Sequence, residues 1–181
     1  MQVSLESHAA WVDGALARYE APLIRYALRV TGEVEIARDV VQDTFLRLCQ
    51  ADRAELEGHL APWLYRVCRN RALDVMKKEN RMQALDTQQL EARPSPAAPP
   101  GTVAERNETE AMLLDAIAGL PEKQREAFTL KFQEQLSYKE ISEITGYPLT
   151  NVRYLIHNSL KRMGQMLGRQ LALAGEGPRP T

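Results

Sequence analysis

Apolar residues recur along the chain at the three- and four-residue spacing of amphipathic helices, and no alternating strand pattern competes with it. In residues 34–50, one helical face would carry Ala37, Val40, Val41, Thr44, Phe45 and Leu48. The other faces would carry Arg38, Gln42, Asp43 and Arg47. The spacing therefore predicts an amphipathic helix over residues 34–50.

Further helices are predicted on both sides of this segment. One covers residues 22–30, and residues 31–33, which include Gly32, form a natural break after it. Pro62 is predicted to open another helix, whose apolar side would carry Trp63, Leu64, Val67 and Cys68. The N-terminal half is therefore predicted to be an all-α bundle.

The C-terminal half is predicted to contain shorter helices over residues 110–118, 121–132, 138–145 and 149–167. Ser137 and Glu140 have the spacing of a capping box, which marks the start of the third of these helices. Gly146 suits a tight turn because glycine tolerates a positive φ. The last two helices would pack through Ile141, Ile144, Val152, Leu155 and Ile156. This arrangement predicts a helix-turn-helix.

The second helix of this pair would present Thr150, Asn151, Arg153, Tyr154, His157 and Lys161 to solvent. Asparagine and arginine can bond the edges of adenine and guanine in a major groove. Threonine, tyrosine and lysine suit phosphates. Amphipathic helix pairs with a glycine turn also occur in proteins that do not bind DNA, so the spacing alone leaves a purely structural pair open.

One segment of the chain has the composition of a linker. Residues 92–101 contain four prolines, which neither a helix nor a sheet interior accommodates. We therefore predict an all-α fold of two small helical domains joined by a flexible Pro-rich linker. The predicted domains cover residues 1–84 and 109–170, with the linker at 85–108 and a disordered tail at 171–181.

The net charge of −1 conceals an uneven distribution of charged residues. Residues 1–60 contain 6 basic and 10 acidic residues, whereas residues 61–81 contain 6 basic and 2 acidic ones. Residues 150–169 contain 4 basic and no acidic residues. Two basic stretches fit two contacts with a polyanion, although two solvated helix faces would have the same composition.

The sequence argues against several classes of protein. No apolar run approaches the roughly 20 residues of a membrane span, and residues 1–10 lack the pattern of a signal peptide. We therefore expect a cytoplasmic protein without membrane insertion. Cys49 and Cys68 are predicted to be small buried hydrophobes. Together with three scattered histidines they form no zinc spacing, and no metal or cofactor is expected.

Three segments resemble a known family when they are taken in order. Residues 39–45 (DVVQDTF) resemble region 2.2 of bacterial sigma factors of the extracytoplasmic-function (ECF) type. Residues 63–74 (WLYRVCRNRALD) resemble regions 2.3 and 2.4. Residues 119–128 (GLPEKQREAF) and 136–141 (LSYKEI) resemble region 4. The resemblance extends over nearly all of residues 19–167.

The resemblance implies a non-catalytic specificity subunit of RNA polymerase. The N-terminal domain would dock on the clamp of the core enzyme and melt the −10 element, and the C-terminal domain would read the −35 element beside the flap. The linker would pass near the active site and the RNA exit path. An anti-sigma factor is a further expected partner.

The resemblance also assigns roles to residues. Contacts with −10 DNA would come from Arg66, Arg69, Asn70, Arg71, Asp74, Lys77 and Lys78, with Asn70 on a flipped base. Contacts with −35 DNA would come from the six exposed side chains of the helix-turn-helix named above. Core polymerase would be bound by Asp39, Gln42, Asp43 and Phe45.

The sequence departs from the family in its recognition helix. The family often has basic residues where Leu155, Asn158 and Leu160 stand, and a small serine where Tyr154 stands. Leu155 can face the core, but the loss of positive charge remains. Because each lost phosphate contact weakens binding, we expect the isolated DNA-binding domain to bind weakly.

A dimeric regulator and an enzyme are the alternative classes of function. A dimeric transcriptional regulator could use the same helix-turn-helix on a palindromic operator. Such a regulator needs a self-association surface and usually a sensor domain, and the segment before the linker offers neither. The basic stretch at 66–81 would also have no role in it. An enzyme has little support, because the chain contains no glycine-rich phosphate loop and no nucleophile–base constellation.

Overall fold

The computed structural model describes residues 2–86 and 108–175, and within them the side chains of residues 8–79, 81 and 110–169. All regular structure in these residues is helical, which confirms the predicted fold class. The helices form two compact units, residues 1–96 and 97–181. The segment predicted to be a Pro-rich linker, apart from its ends, lies outside the described residues.

Within residues 2–86, the first unit contains three α-helices: α1 (Gln2–Thr31), α2 (Val34–Gln50) and α3 (Leu60–Asp86). A short 3₁₀ turn, Ala54–Leu56, connects α2 to α3. Helix α2 has the predicted bounds, and all six residues of its predicted apolar face are buried. Helix α3 begins at Leu60, two residues before the predicted start, and Pro62 lies in its first turn.

The core of the first unit forms where the three helices meet. Its largest fully buried side chains include Leu23, Tyr26, Leu48, Leu64 and Tyr65. The rings of Tyr26 and Tyr65 meet edge to face, with centroids 5.3 Å apart and planes at 81°, an arrangement that aromatic quadrupoles favour. The two tyrosines thus fix α1 against α3.

Helix α1 is longer than the sequence pattern predicted. It begins at Gln2, and Pro22, which was predicted to start the helix, lies in its interior. Proline at this position removes one backbone hydrogen bond. The buried residues Ala15 and Leu23 lie on either side of Pro22 in the chain, so packing continues across the proline and offsets its cost.

The turn between α1 and α2 lies at the predicted break. Gly32 has a φ of 77°, a conformation that glycine adopts without strain. The hydroxyl of the buried Thr31 donates to the carbonyl oxygens of Ala27 at 3.0 Å and Glu33 at 3.2 Å. These bonds hold the chain as it reverses direction before α2.

The two cysteines occupy different environments. Cys68 is fully buried, as predicted, but Cys49 is exposed, and the prediction for it was wrong. Cys49 is near the end of α2, on the side away from the buried residues. Burial raises the pKa of the Cys68 thiol to about 12, and a hydrogen bond with Thr44 offsets this only in part. The Cys68 thiol is therefore unreactive.

The part of the second unit that the structure describes, residues 108–175, contains four α-helices: α4 (Glu108–Ala118), α5 (Glu122–Phe132), α6 (Tyr138–Thr145) and α7 (Leu149–Gly175). A cluster of Ala116, Leu120, Phe128 and Met163 joins α4, α5 and α7. Helix α7 continues beyond residue 167, where its end was predicted. Residues 171–175 of the predicted disordered tail are helical, and residues 176–181 lie outside the described residues.

Candidate nucleic-acid interface

The start of α6 is held by the predicted capping box. The backbone N–H of Ser137 donates to Glu140 Oε2 at 2.6 Å, and the backbone N–H of Glu140 donates to Ser137 Oγ at 3.2 Å. Two backbone donors that the helix start would leave unpaired are thereby satisfied. The capping box fixes where α6 begins.

The turn from α6 to α7 depends on Gly146. Its φ is 73° and its ψ is 6°, which is the left-handed conformation, and its N–H donates to the Ser142 carbonyl oxygen at 2.9 Å. The hydroxyl of Ser142 donates to the Tyr147 carbonyl oxygen at 2.6 Å. The Tyr147 N–H donates to Thr145 Oγ1 at 3.3 Å. These bonds set the direction in which α7 leaves the turn.

The two helices of this motif pack through the predicted residues. Ile141 and Ile144 on α6 are buried, as are Val152, Leu155 and Ile156 on α7. Because Leu155 faces the core, its replacement of a basic family residue does not alter the exposed face. The helix-turn-helix predicted from the sequence is therefore present, with α7 as its second helix.

The exposed face of α7 contains all six side chains that were predicted to meet −35 DNA: Thr150, Asn151, Arg153, Tyr154, His157 and Lys161. Within the described part of the second unit, none of them has a hydrogen bond or an ion pair. Tyr154 is 64% exposed, and the neighbouring Leu160 is 48% exposed. The face can therefore meet a partner without breaking internal contacts.

Helix α3 carries a second exposed polar face. Arg66, Asn70, Asp74 and Lys77 follow one another at intervals of three or four residues, so they share one side of the helix, and all four are exposed. Lys78 is also exposed, whereas Arg69 and Arg71 are partly buried on the flanks. We call the first four residues the α3 face. Three of its members can donate to phosphates or bases.

One ion pair connects α3 to α2. Arg71 Nε donates to Asp43 Oδ2 at 2.6 Å, and each side chain is 39% exposed. The family motifs imply two different partners for these residues, DNA for Arg71 and polymerase for Asp43. Their 28-residue separation in the chain gave no sign that they are in contact.

The polar side of α2 differs from the prediction in one residue. Asp39 and Gln42 are exposed, but Phe45 is only 7% exposed and belongs to the core. The side chain of Phe45 is therefore not available to a partner. Leu46, which the family motif does not include, is 55% exposed and follows Asp39 and Gln42 at helical spacing. Counting the helical phase from Asp39 would have found it.

Both units match families of known proteins. Residues 15–82 match the family model described as Sigma-70 region 2, and residues 110–163 match the one described as Sigma-70, region 4. The two segments together make up more than half of the chain and lie one in each unit.

Full-length relatives give the same result. The chain is 25% identical over 158 residues to the ECF RNA polymerase sigma factor SigM of Bacillus subtilis, with 87% of this chain and 96% of that protein covered. It is 29% identical over 164 residues to the RNA polymerase sigma factor CarQ of Myxococcus xanthus, with coverages of 86% and 92%.

The chain belongs to the ECF sigma factors. This family consists of non-catalytic, promoter-recognising subunits that act with RNA polymerase. The fold agrees with a co-crystal structure of the sigma factor RpoE in complex with the anti-sigma factor NepR from Bartonella quintana. The TM-score to it is 0.63 at 23% identity, with 86% of this chain and 96% of that chain covered.

The matched segments of the sigma factor contain the surfaces described above. The region 2 segment includes the polar side of α2 and the α3 face, and the region 4 segment includes the helix-turn-helix. Within the residues that the structure describes, no helix combines the length and the apolar character that crossing a bilayer requires.

Proposed function

We propose that this ECF sigma factor holds a promoter at two places and binds core polymerase through a third surface. The polar side of α2 binds the core enzyme, the α3 face engages the −10 element, and the exposed face of α7 reads the −35 element. The observation that carries the proposal is that all six α7 side chains are exposed. The helix that carries them follows a capped helix and a turn at the left-handed Gly146.

The polymerase surface consists of Asp39, Gln42 and Leu46. A carboxylate and an amide beside one exposed leucine suit a partner that is basic around an apolar spot. Phe45 is left out because its side chain packs in the core. Asp43 lies at the edge of this surface, where it pairs with Arg71.

The α3 face acts on the −10 element. Melting a duplex requires cations along the backbone and groups that hold bases once they have left the stack. Arg66 and Lys77 supply positive charge on either side of Asn70, whose amide can donate to and accept from an unpaired base. Lys78 extends the positive charge, and Asp74 lies one turn beyond Asn70, where it can accept from a base amino group.

The α7 face reads the −35 element with few cations. Asn151 and Arg153 provide the groups that recognise adenine and guanine, whereas Thr150 and Lys161 suit phosphates. Tyr154 adds an exposed ring and hydroxyl where the family often has serine, and His157 lies between it and Lys161. Because few phosphates are contacted, the affinity of this face for DNA is low. Polymerase raises the overall affinity by holding both units on one promoter.

We also propose that an anti-sigma factor controls this protein and that it acts in the cytoplasm, where bacterial RNA polymerase transcribes. The support is membership of the family. In the co-crystal structure named above, the sigma factor RpoE is bound by the anti-sigma factor NepR.

The test is run-off transcription from a library of randomised promoters with purified core polymerase. Core plus this protein should enrich templates with two separate sequence elements at a constant spacing, and core alone should not. A variant with Asn151→Ala and Arg153→Ala should lose the upstream element while keeping the downstream one. Equal enrichment with and without the protein, or a single palindrome bound without core, would contradict the proposal.

A further inference from the structure

The Asp43–Arg71 pair lies between the polymerase surface and the α3 face. Arg71 follows Asn70 in the chain but projects from the flank of α3 that meets α2. Asp43 follows Gln42 but lies at the edge of α2 that meets α3. The pair therefore links the edges of the two proposed functional surfaces.

The pair uses little of the bonding capacity of the arginine. A guanidinium has five N–H donors in a planar fork, and only Nε is bonded to Asp43. Within the described residues, Arg71 has no other hydrogen-bond or ion-pair partner. The terminal amino groups, which carry four donors, remain available on a side chain that is 39% exposed. A bond to Nε fixes the orientation of the planar guanidinium and leaves its two terminal amino groups free to bond another acceptor.

The position of Asp43 makes it a poor contact for a basic partner. Its carboxylate is 39% exposed and already accepts a short charge-assisted bond from Arg71. A basic group on another protein would meet a pair without net charge. Asp39 and Gln42 are more open to such a partner, since both are exposed.

We infer that Asp43 is a positioning residue for Arg71, whose terminal amino groups bind a backbone phosphate of the promoter beside the bases held by the α3 face. The inference rests on the proposed role of the α3 face in the −10 element. It assigns Asp43, which the family motif groups with the polymerase-binding residues, to the DNA-binding machinery, where Asp43 acts through Arg71 and does not touch DNA. Without the carboxylate, the long arginine side chain loses its fixed orientation and must be ordered when DNA binds.

The experiment uses the holoenzyme on a promoter from the selected library. The affinity for core is measured separately from the rate of promoter opening, which is followed at saturating core. Asp43→Ala and Arg71→Gln should each slow opening about fivefold and leave core affinity unchanged. The double variant should be no slower than Arg71→Gln alone, because both substitutions remove the same contact.

Three further variants separate positioning from a general loss of charge or structure. Asp43→Glu should restore part of the opening rate, whereas Arg71→Lys should not, because an ammonium cannot bond side-on and still present a fork. Glu35→Ala is the matched control, since it removes an acidic partner of Arg38 from the same helix without touching Arg71. It should leave opening unchanged. Arg71→Gln should also lower the salt dependence of promoter binding by about one phosphate contact.

Several results would overturn the inference. Weaker core binding by Arg71→Gln would mean that Arg71 positions Asp43 for polymerase instead. Normal or faster opening by Asp43→Ala, or additive effects in the double variant, would mean that the arginine does not depend on the carboxylate. If wild-type protein opens the promoter and Asn70→Ala impairs opening, these results count against the inference alone. If wild-type protein opens no promoter, the proposed function itself fails.

Discussion

The hydroxyl of Ser142 donates a 2.6 Å hydrogen bond to the carbonyl oxygen of Tyr147, across the turn that joins α6 to α7. The bond links α6, whose start is capped, to the segment that precedes α7. Gly146, in the left-handed conformation, lies between these two residues. The direction of α7 relative to α6 is therefore set by a few local contacts.

Substitution of Gly146 should therefore destabilise the second unit. A side chain at a φ of 73° is strained even though a Cβ there would meet no neighbour within 4 Å, so Gly146→Ala should cost about 1 kcal/mol of unfolding free energy. Gly164→Ala is the matched control, because Gly164 lies inside α7 and also has open space around it. That substitution should stabilise by about 0.5–1 kcal/mol.

Chemical denaturation of the full chain, with hydrogen exchange of α6 and α7 to assign the change to the second unit, measures both effects. A fall in stability for both variants, or for neither, would mean that the conformation of Gly146 does not govern the turn.

The cysteines should differ in reactivity. A thiol reagent at pH 8 should modify Cys49 in the native protein and leave Cys68 untouched, because burial raises the pKa of Cys68 to about 12. Both thiols should react once the chain is unfolded. Modification of two thiols in the native protein at the rate of a free peptide thiol would show that Cys68 is not held in the core.

Cys68 also makes stability depend on pH. Its ordinary pKa of 9.0 applies to the unfolded chain, and the folded value is about 12. The folded state therefore retains a proton that the unfolded state loses, and the contribution to stability is full below pH 9 and falls between pH 9 and 12. The slope is about −1.4 kcal/mol per pH unit in that range. Cys68→Ala should remove this component of the slope, and an unchanged slope would contradict the burial of the thiol.

The sequence predicted local features of the fold better than tertiary ones. The bounds of α2 follow from the spacing of its apolar residues, and the capping box of α6 follows from two residues three positions apart. Both depend on interactions within a few residues. The start of α1 was missed because a proline was taken as a helix start, although packing on both sides carries the helix through Pro22.

In the candidate site, too, features of a single helix could be predicted better than contacts between helices. The six residues of the α7 face could be named in advance, since their exposure follows from the phase of one helix. Phe45 was assigned to a partner by its motif, although its own helical phase buries it. The contact between Asp43 and Arg71 could not be predicted, because it depends on how α2 and α3 pack.

The residues of α7 should divide into those that read bases and those that bind phosphates. Arg153→Ala should cost about 1–3 kcal/mol on the preferred promoter and relax the preference at one base pair of the −35 element. Lys161→Ala should weaken all promoters alike and lower the salt dependence by about one contact. Competition binding of holoenzyme to single-base variants at several salt concentrations measures both. A uniform loss for Arg153→Ala would remove it from the base-reading residues.

Asn70 should contribute to promoter opening and hardly at all to the affinity for core polymerase. Because its side chain lies in the middle of the α3 face, Asn70→Ala should slow opening at saturating core and leave core affinity unchanged. Leu46→Ala should do the reverse, since Leu46 lies on the polar side of α2. An equal fall in core affinity for both variants would show that the α3 face is also part of the polymerase surface.

The central claim is that this protein recognises promoters as a subunit of polymerase and not alone. Its most direct test is the affinity for a selected promoter duplex, measured by equilibrium binding with and without core polymerase. The protein alone should bind weakly. Core should raise the affinity by a factor of about 10²–10⁴, because the enzyme holds the α3 face and the α7 face on one duplex. Equal affinity in the presence and absence of core would contradict the claim.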